Sequence, residues 1–362
     1  MKVIYSDFYK KITESIEDEG LASPLKIEIS LTNGCNQNCQ HCSNAYRINK
    51  DVKFIEERLI YDAILCNPLV IVLTGGEPLL HPMFISIVKE IKKHNIYIRL
   101  LTNGTLITDK LISDLFDAGW TGNDIIQISL DSVDENLYYN QRGTNDCHKV
   151  LHSIKKCVEA GITVDVHTVP TGINLFNIYD IYKTISKFKV AFFSGAALAP
   201  IRADLLDLMC PQEELLKVHE RILLESSNQA TKYIGGIDGM PCANPDVLDK
   251  YLFMKKERKL IYKCSAGRYS CYINESGKVF PCVFLLDKRA CCGDLHDNRL
   301  IDIWNNTTMY DYKIGFSIKN TFCENCKYWG LCNGGCIGVS ATYSEKIKPG
   351  NDIRCYRHQL KK

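Results

Sequence analysis

From residue 25 to about residue 200 the chain alternates short β-branched runs with stretches whose apolar residues recur every three to four positions. The runs at 25–31, 70–74, 97–102, 125–131, 163–169 and 190–198 predict strands, and the amphipathic segments at 54–65, 83–94, 108–117, 146–160 and 178–188 predict helices between them. Strand and helix in regular alternation imply parallel strands joined by helical crossovers, an α/β fold. Six βα units fall short of the eight that close a complete barrel, so a partial (β/α)6 TIM barrel is expected. Chemistry in such folds gathers at the C-terminal ends of the strands. The polar clusters Thr32-Asn33-Gly34, Gly75-Gly76-Glu77, Asn103-Gly104, Asp131-Ser132 and Pro170-Thr171-Gly172 all fall there. Past residue 200 the alternation fades, and 211–225 and 246–262 read as bridging helices before a tail rich in Gly and Cys. The expected division is an N-terminal extension (1–24), the partial barrel (25–205), a bridging helical region (206–262) and a small Cys-rich domain (263–362).

The chain has the make-up of a folded protein with a sizeable core: 362 residues, 46% hydrophobic and 24% charged. Its 44 Lys and Arg against 42 Asp and Glu leave a net +2, too balanced for the basic field that nucleic acids or anionic membranes select. A small neutral or zwitterionic substrate, or a peptide, suits such a surface better. No run of about 18 apolar residues is present to span a bilayer. Residues 1–20 mix Lys11, Glu14, Glu17, Asp18 and Glu19 with apolar residues, unlike a signal peptide. The expected location is cytoplasmic. In that reducing compartment 18 cysteines are better explained as metal or cluster ligands than as disulfides. They gather at the two ends, with Cys66, Cys147, Cys157, Cys210 and Cys242 alone between.

Cys35, Cys39 and Cys42 put three thiolates in eight residues directly after the first predicted strand. Three soft ligands in one loop can hold three irons of a cubane [4Fe–4S] cluster and leave the fourth iron open. The alternatives are a structural zinc, for which His41 is a crowded fourth ligand, and buried packing thiols. The C-x3-C-x2-C spacing after strand one of a partial barrel resembles the radical S-adenosylmethionine (SAM) superfamily. There the open iron is chelated by SAM, whose reductive cleavage gives a 5′-deoxyadenosyl radical. The residue before the third cysteine is usually aromatic in that family; here it is His41.

Further motifs follow in order. Gly75-Gly76-Glu77-Pro78 lies after strand two, where glycines let backbone approach a ligand and Glu77 can accept from an ammonium. It resembles the family's loop for the methionine amino group, although the same residues also make ordinary turns. Ser129 ends strand four and Arg142 stands in the next loop. A hydroxyl and a guanidinium there suit a carboxylate, and related enzymes use such a pair on the methionine carboxylate, while a surface ion pair is the alternative for Arg142. Asn103 resembles the loop near the ribose, and Asn174 is a weaker signal of the same kind.

In the tail, Cys264, Gly277 and Cys282 precede Cys323-x2-Cys326-x5-Cys332-x3-Cys336 and Cys355, which resembles the seven-cysteine SPASM domain of radical SAM enzymes. Two zinc ribbons are the alternative. A Gly-rich tail with little apolar periodicity needs metal cross-links to fold. The resemblance implies two auxiliary [4Fe–4S] clusters, three in all. Cys264, Cys282 and Cys336 would hold the first, and Cys323, Cys326, Cys332 and Cys355 the second. Cys271 is the candidate for the first cluster's fourth ligand, against a buried thiol. Cys291-Cys292 is a poor ligand pair, though one of them suits a hydrogen-atom donor.

These expectations point to a radical SAM/SPASM oxidoreductase that modifies a ribosomal peptide by crosslinking, oxidation or epimerisation. A dehydrogenase or epimerase acting on an aminoglycoside or sugar is the alternative, and a cluster-bearing sensor a third. Expected partners are the substrate and a reductant such as flavodoxin or ferredoxin; because only about 24 residues precede strand one, a leader-bound substrate needs either a separate peptide-recognition protein or direct binding to the barrel. Val283 follows Cys282 where sulfatase-maturing relatives have an aspartate base, which disfavours that activity. Asp131, Asp204 and Asp238 are the acids left, each expected to be an ordinary loop carboxylate.

Overall fold

Apolar alternation puts one face of every strand under helices and leaves the other to line the barrel. The computed structural model describes residues 21–195, 198–226, 230–235 and 264–355 except 315, 317, 318, 320, 322 and 333. The strands are β1 (Lys26–Ser30), β2 (Val70–Thr74), β3 (Tyr97–Thr102), β4 (Ile125–Ser129), β5 (Thr163–Thr168), β6 (Phe192–Gly195), β7 (Lys232–Gly235), β8 (Ser270–Ile273), β9 (Lys278–Phe280) and β10 (Gly293–Asp294). They form one sheet in the order β10-β9-β8-β1-β2-β3-β4-β5-β6-β7. Pairing is parallel from β8 to β7 and antiparallel from β8 through β9 to β10.

The six expected strands are present as a partial barrel, and two more parallel strands flank them. One of these, β7, falls in the stretch expected to be a helical bridge. The other, β8, comes from the Cys-rich region and pairs in register with β1, Lys26 opposite Ser270. The sheet therefore crosses the boundary expected at residue 205, and the tail is built onto the barrel edge. The helix expected over 246–262 lies outside the described residues.

Among the described residues seven helices cover the barrel: α1 (Glu57–Leu65), α2 (Phe84–Lys93), α3 (Asp109–Asp117), α4 (Glu135–Arg142), α5 (Cys147–Glu159), α6 (Ile178–Lys187) and α7 (Gln212–Ser226). In α2 the buried residues are Phe84, Ile87, Val88 and Ile91, one stripe at helical spacing, and it packs against the sheet. Ile27, Ile29, Ile71, Leu73, Ile126, Ile128, Val164 and Val166 meet such stripes from the strands. Each contributes roughly 1.5–3 kcal/mol by leaving water. Helix α1 starts three residues later than expected because Phe54 is held in an extended bridge to Thr32.

Helix α4 was not expected. Asp134 accepts from the Leu137 amide at 2.9 Å and so caps its start, and Gly143, at φ 72°, ends it. Arg142 is consequently the last residue of a helix rather than part of a loop.

The opposite strand faces mix apolar side chains such as Val70, Val72 and Leu101 with polar ones. Lys26 and Glu28 on β1, Arg99 on β3, Gln127 on β4, and Asp165 and His167 on β5 point inward. Arg99 pairs with Asp165 and donates to Gln127 Oε1 from Nη2 at 2.7 Å. Burial pushes the Asp165 carboxyl up to about 6, against the pull of Arg99. A barrel packed solid is filled by branched apolar side chains; this one encloses two adjoining cavities of about 330 and 390 Å3 that share Glu28, Leu101 and Gln127.

Candidate active site

The larger cavity opens at the C-terminal ends of the strands, and Cys35, Cys39 and Cys42 stand on its wall. Side-chain amides fix their loop. Asn33 donates to the carbonyls of Arg47 and Lys50 at 3.0 and 2.6 Å and accepts from the Lys53 amide at 2.8 Å. Asn49, at φ 57°, brackets Cys35, accepting from its amide and donating to its carbonyl, both at 2.9 Å. Arg202 donates to the Cys42 carbonyl. From the Cys-rich region, Glu275 accepts from Ser30 Oγ at 3.2 Å and pairs with Arg47, tying the β8–β9 turn to the same loop.

All three thiols are free and lie within electrostatic range of one another. Burial pushes Cys35 up to about 11 and Cys39 up to about 12, and it raises Cys42 too. Three crowded thiols so reluctant to ionise in isolation need a cation to bind them as thiolates. A donor set of three convergent sulfurs fits a soft metal cluster with one position left for another ligand.

Gly75, Gly76, Asn103, Ser129 and Arg142 line the same cavity, but Glu77 does not. The two glycines are required by backbone packing. A Cβ on Gly75, at φ 142°, would sit 2.3 Å from the Thr32 carbonyl oxygen, and one on Gly76 would sit 2.2 Å from that of Gly34. The loop after β2 is thereby pressed onto the loop after β1, and its backbone faces the cavity. Glu77 lies beneath, fully buried, accepting from Thr102 Oγ1 at 2.7 Å, the Asn103 amide at 2.8 Å and the Leu79 amide at 3.1 Å. Its carboxylate joins the loops after β2 and β3 rather than facing a ligand.

Burial raises the Glu77 carboxyl from 4.5 to about 7, although its three donors pull the other way. A group whose folded pKa lies above its unfolded value stabilises the fold fully below about 4.5 and loses that contribution as pH rises through about 7. The loss is about 3 kcal/mol, measured as a lower urea midpoint at pH 8 than at pH 5. Glu77→Gln is expected to flatten most of this slope. An unchanged slope in that variant would assign it to other groups.

Asp131, also fully buried, is saturated by its neighbours. Burial pushes its carboxyl up, but Arg142, His41 and the Val169 amide, at 2.8 Å, hold it below the ordinary carboxylate value. It is an anchor and not an available base. His41 places Nε2 3.4 Å from Asp131 Oδ2, so the position usually aromatic in relatives makes a polar contact here; burial lowers the ring to about 4. Asn174 is buried in the turn after β5, donating to the Asp131 and Val169 carbonyls at 2.9 and 3.1 Å. Asp204 is exposed and paired with Arg202, and Asp238 lies outside the described residues.

In the tail, Cys282 has Cys264 and Cys336 as electrostatic neighbours, together with Glu28 from the inner barrel face. Cys332 has Cys323 and Cys355, and the Cys326 amide closes a turn on the Cys323 carbonyl at 3.1 Å.

Cys271 has other neighbours. It occupies β8 opposite Ile27, on the outer strand face, where its thiol neighbours are Cys66 and Cys292. Successive residues of a strand point to opposite faces, so Cys271 shares the face of Ile27, opposite that of Glu28 and Tyr272. It is a buried thiol, 1% exposed, packed into the core. Cys292 is buried with it.

Residues overlooked in the sequence are Glu28, Gln127 and His167, all lining the cavity. The signal was present: polar residues alternate with Ile and Val along β1, β4 and β5, marking a partly polar barrel interior. Val283 and Phe284, which follow Cys282, line the cavity as well.

Among the described residues no helix is long and apolar enough to cross a membrane. Family models match the chain twice, the radical SAM superfamily over residues 29–186 and an iron–sulfur cluster-binding domain, SPASM, over 264–327. The mycofactocin maturase MftC of Mycobacterium tuberculosis is 24% identical over 337 residues, covering 89% of this chain and 80% of that protein. An AdoMet-dependent heme synthase of Methanosarcina barkeri is 23% identical over 325 residues, covering 86% of this chain and 91% of that protein. The fold matches the crystal structure of Streptococcus suis SuiB bound to precursor peptide SuiA with a TM-score of 0.75 at 19% identity, covering 97% of this chain and 80% of that one. The chain belongs to the radical SAM superfamily, as an enzyme whose C-terminal region is an iron–sulfur cluster-binding SPASM domain.

Proposed function

We propose that this radical SAM enzyme modifies a ribosomally made peptide, abstracting a hydrogen atom as the first step of crosslinking, oxidation or epimerisation. The observation that carries the proposal is a single cavity walled by Cys35, Cys39 and Cys42, by Gly75, Gly76, Asn103, Ser129 and Arg142, and by Val283 and Phe284 beside Cys282. The three N-terminal cysteines would hold a [4Fe–4S] cluster. Cys264, Cys282 and Cys336, and Cys323, Cys326, Cys332 and Cys355, would hold two auxiliary ones. When bound, the reduced cluster supplies the electron that cleaves SAM to the 5′-deoxyadenosyl radical.

The chain's own part is enclosure and orientation. The Gly75-Gly76 backbone and the Ser129 hydroxyl, which line the cavity, would hold the amino-acid end of SAM, and Asn103 would contact its ribose. The barrel walls keep water from a carbon radical. Substrate enters a partly polar interior between the two cysteine-rich regions, where Glu28 and Gln127 face it. The precursor peptide in the SuiB structure and the maturase relative favour a peptide. The heme synthase relative favours a second reading, a small-molecule substrate. A flavodoxin or ferredoxin would supply electrons.

Anaerobically reconstituted protein given SAM and dithionite is expected to form 5′-deoxyadenosine, and its absence would refute the radical reading. Short peptides encoded beside the gene are expected to accelerate that formation and to change mass. Acceleration by small molecules alone would favour the second reading.

A further inference from the structure

We infer that Arg142 sets the reduction potential of the cluster at Cys35, Cys39 and Cys42, through a charged hydrogen bond to the Cys39 sulfur that Asp131 holds in place. The inference rests on the reading of those cysteines as cluster ligands. Each of the three sulfurs has one N–H donor of the chain. Backbone amides of Gln37 and Asn44 serve Cys35 and Cys42. Cys39 instead receives Arg142 Nη1, at 3.9 Å.

The guanidinium is buried and committed. Its Nε and Nη2 both lie 2.6 Å from Asp131 Oδ2, and Nη1 also donates to Gln37 Oε1 at 3.3 Å. Of the five N–H donors an arginine carries, three are engaged in hydrogen bonds, and Nη2 adds an ion-pair contact to Asp131. The main chain behind it is tied to the cysteine loop as well: the Gln40 and Asn38 amides donate to the Gln141 and Arg142 carbonyls at 3.0 and 3.2 Å. Gly143 makes this closeness possible, since a Cβ there would lie 2.9 Å from the Asn38 carbonyl oxygen. An arginine serving only to grasp an arriving carboxylate needs free donors; this one is built into the wall of the cysteine site.

Iron–sulfur potentials respond to hydrogen bonds on the sulfurs and to nearby charge. Reduction adds negative charge, so the Arg142 cation favours the reduced cluster, and Asp131 on its far side opposes it. Opposite signs are therefore expected for the two partners, which a packing role alone does not give. Arg142 is a positioning and tuning residue, acting through Cys39.

The test is an anaerobic redox titration of the reconstituted full chain, followed by electron paramagnetic resonance without SAM and with iron content measured. The signal of this cluster is identified beforehand as the one that moves when SAM is added. Arg142→Gln is expected to shift the one-electron reduction about tenfold toward the oxidised form, a fall of about 59 mV, and Arg142→Lys to restore part of it. Asp131→Asn is expected to shift the potential upward. An unchanged potential in Arg142→Gln with its iron retained would overturn the inference, as would a downward shift in Asp131→Asn. If Arg142→Gln loses the cluster, Asp131→Asn alone decides between an upward shift and none. A wild-type protein with no SAM-responsive signal would instead refute the proposed function.

Discussion

Replacing Cys39 with alanine is expected to lower SAM cleavage by at least about a thousandfold, the scale of losing an essential group from an enzyme site. Iron should fall from about twelve to about eight atoms per chain, four for each cubane. The fold should survive, because the loop is held by Asn33 and Asn49 and by the amide of Gln40 on the Gln141 carbonyl, none of which needs the Cys39 sulfur. Cys147→Ala is the matched control. Cys147 opens α5, fully buried, with its thiol on the Ser132 carbonyl at 3.3 Å. Its loss should cost about 1 kcal/mol of stability and leave iron and cleavage unchanged. Product chromatography and iron assay check both variants. Full cleavage by Cys39→Ala would remove the three-cysteine loop from the chemistry.

That loop was legible because its information is local. Three cysteines at fixed spacing after a strand carry their geometry in the sequence, and so do β1 to β6 with their apolar outer faces. The strands that escaped notice are short and lack such a signature. In β7, Lys-Tyr-Ile-Gly, and in β8, Ser-Cys-Tyr-Ile, four residues hold too few alternations to define a period. Their place in the sheet is decided by the partner strand. Helix α4 escaped because only Tyr138 among its apolar residues is fully buried, although the Asp134 cap and the Gly143 stop were both readable.

Roles were harder to read than positions. Glu77 sits in a motif that suggests ligand contact, yet the backbone crowding at Gly75 and Gly76 turns its side chain into the scaffold. Arg142 lines the cavity, and its ties to Asp131 and Cys39 depend on a helix that periodicity does not reveal. Such assignments turn on which way a side chain points, and that is fixed by packing between segments distant in sequence.

The sharpest case is the tail, where Cys282→Ala and Cys271→Ala should part company. Only ten residues separate these cysteines, and composition alone treats them alike. Strand geometry does not. Cys282 has Cys264 and Cys336 as electrostatic neighbours, so its loss should release about four irons. It should also loosen a domain whose folding depends on its metal cross-links, seen as rapid proteolysis of the tail. Cys271 packs outward among Cys66 and Cys292 beside Ile27, so its truncation leaves only a small void, about 1 kcal/mol, with iron unchanged. Iron analysis and urea unfolding of the two variants separate these outcomes. Equal iron loss from both would place Cys271 among the ligands.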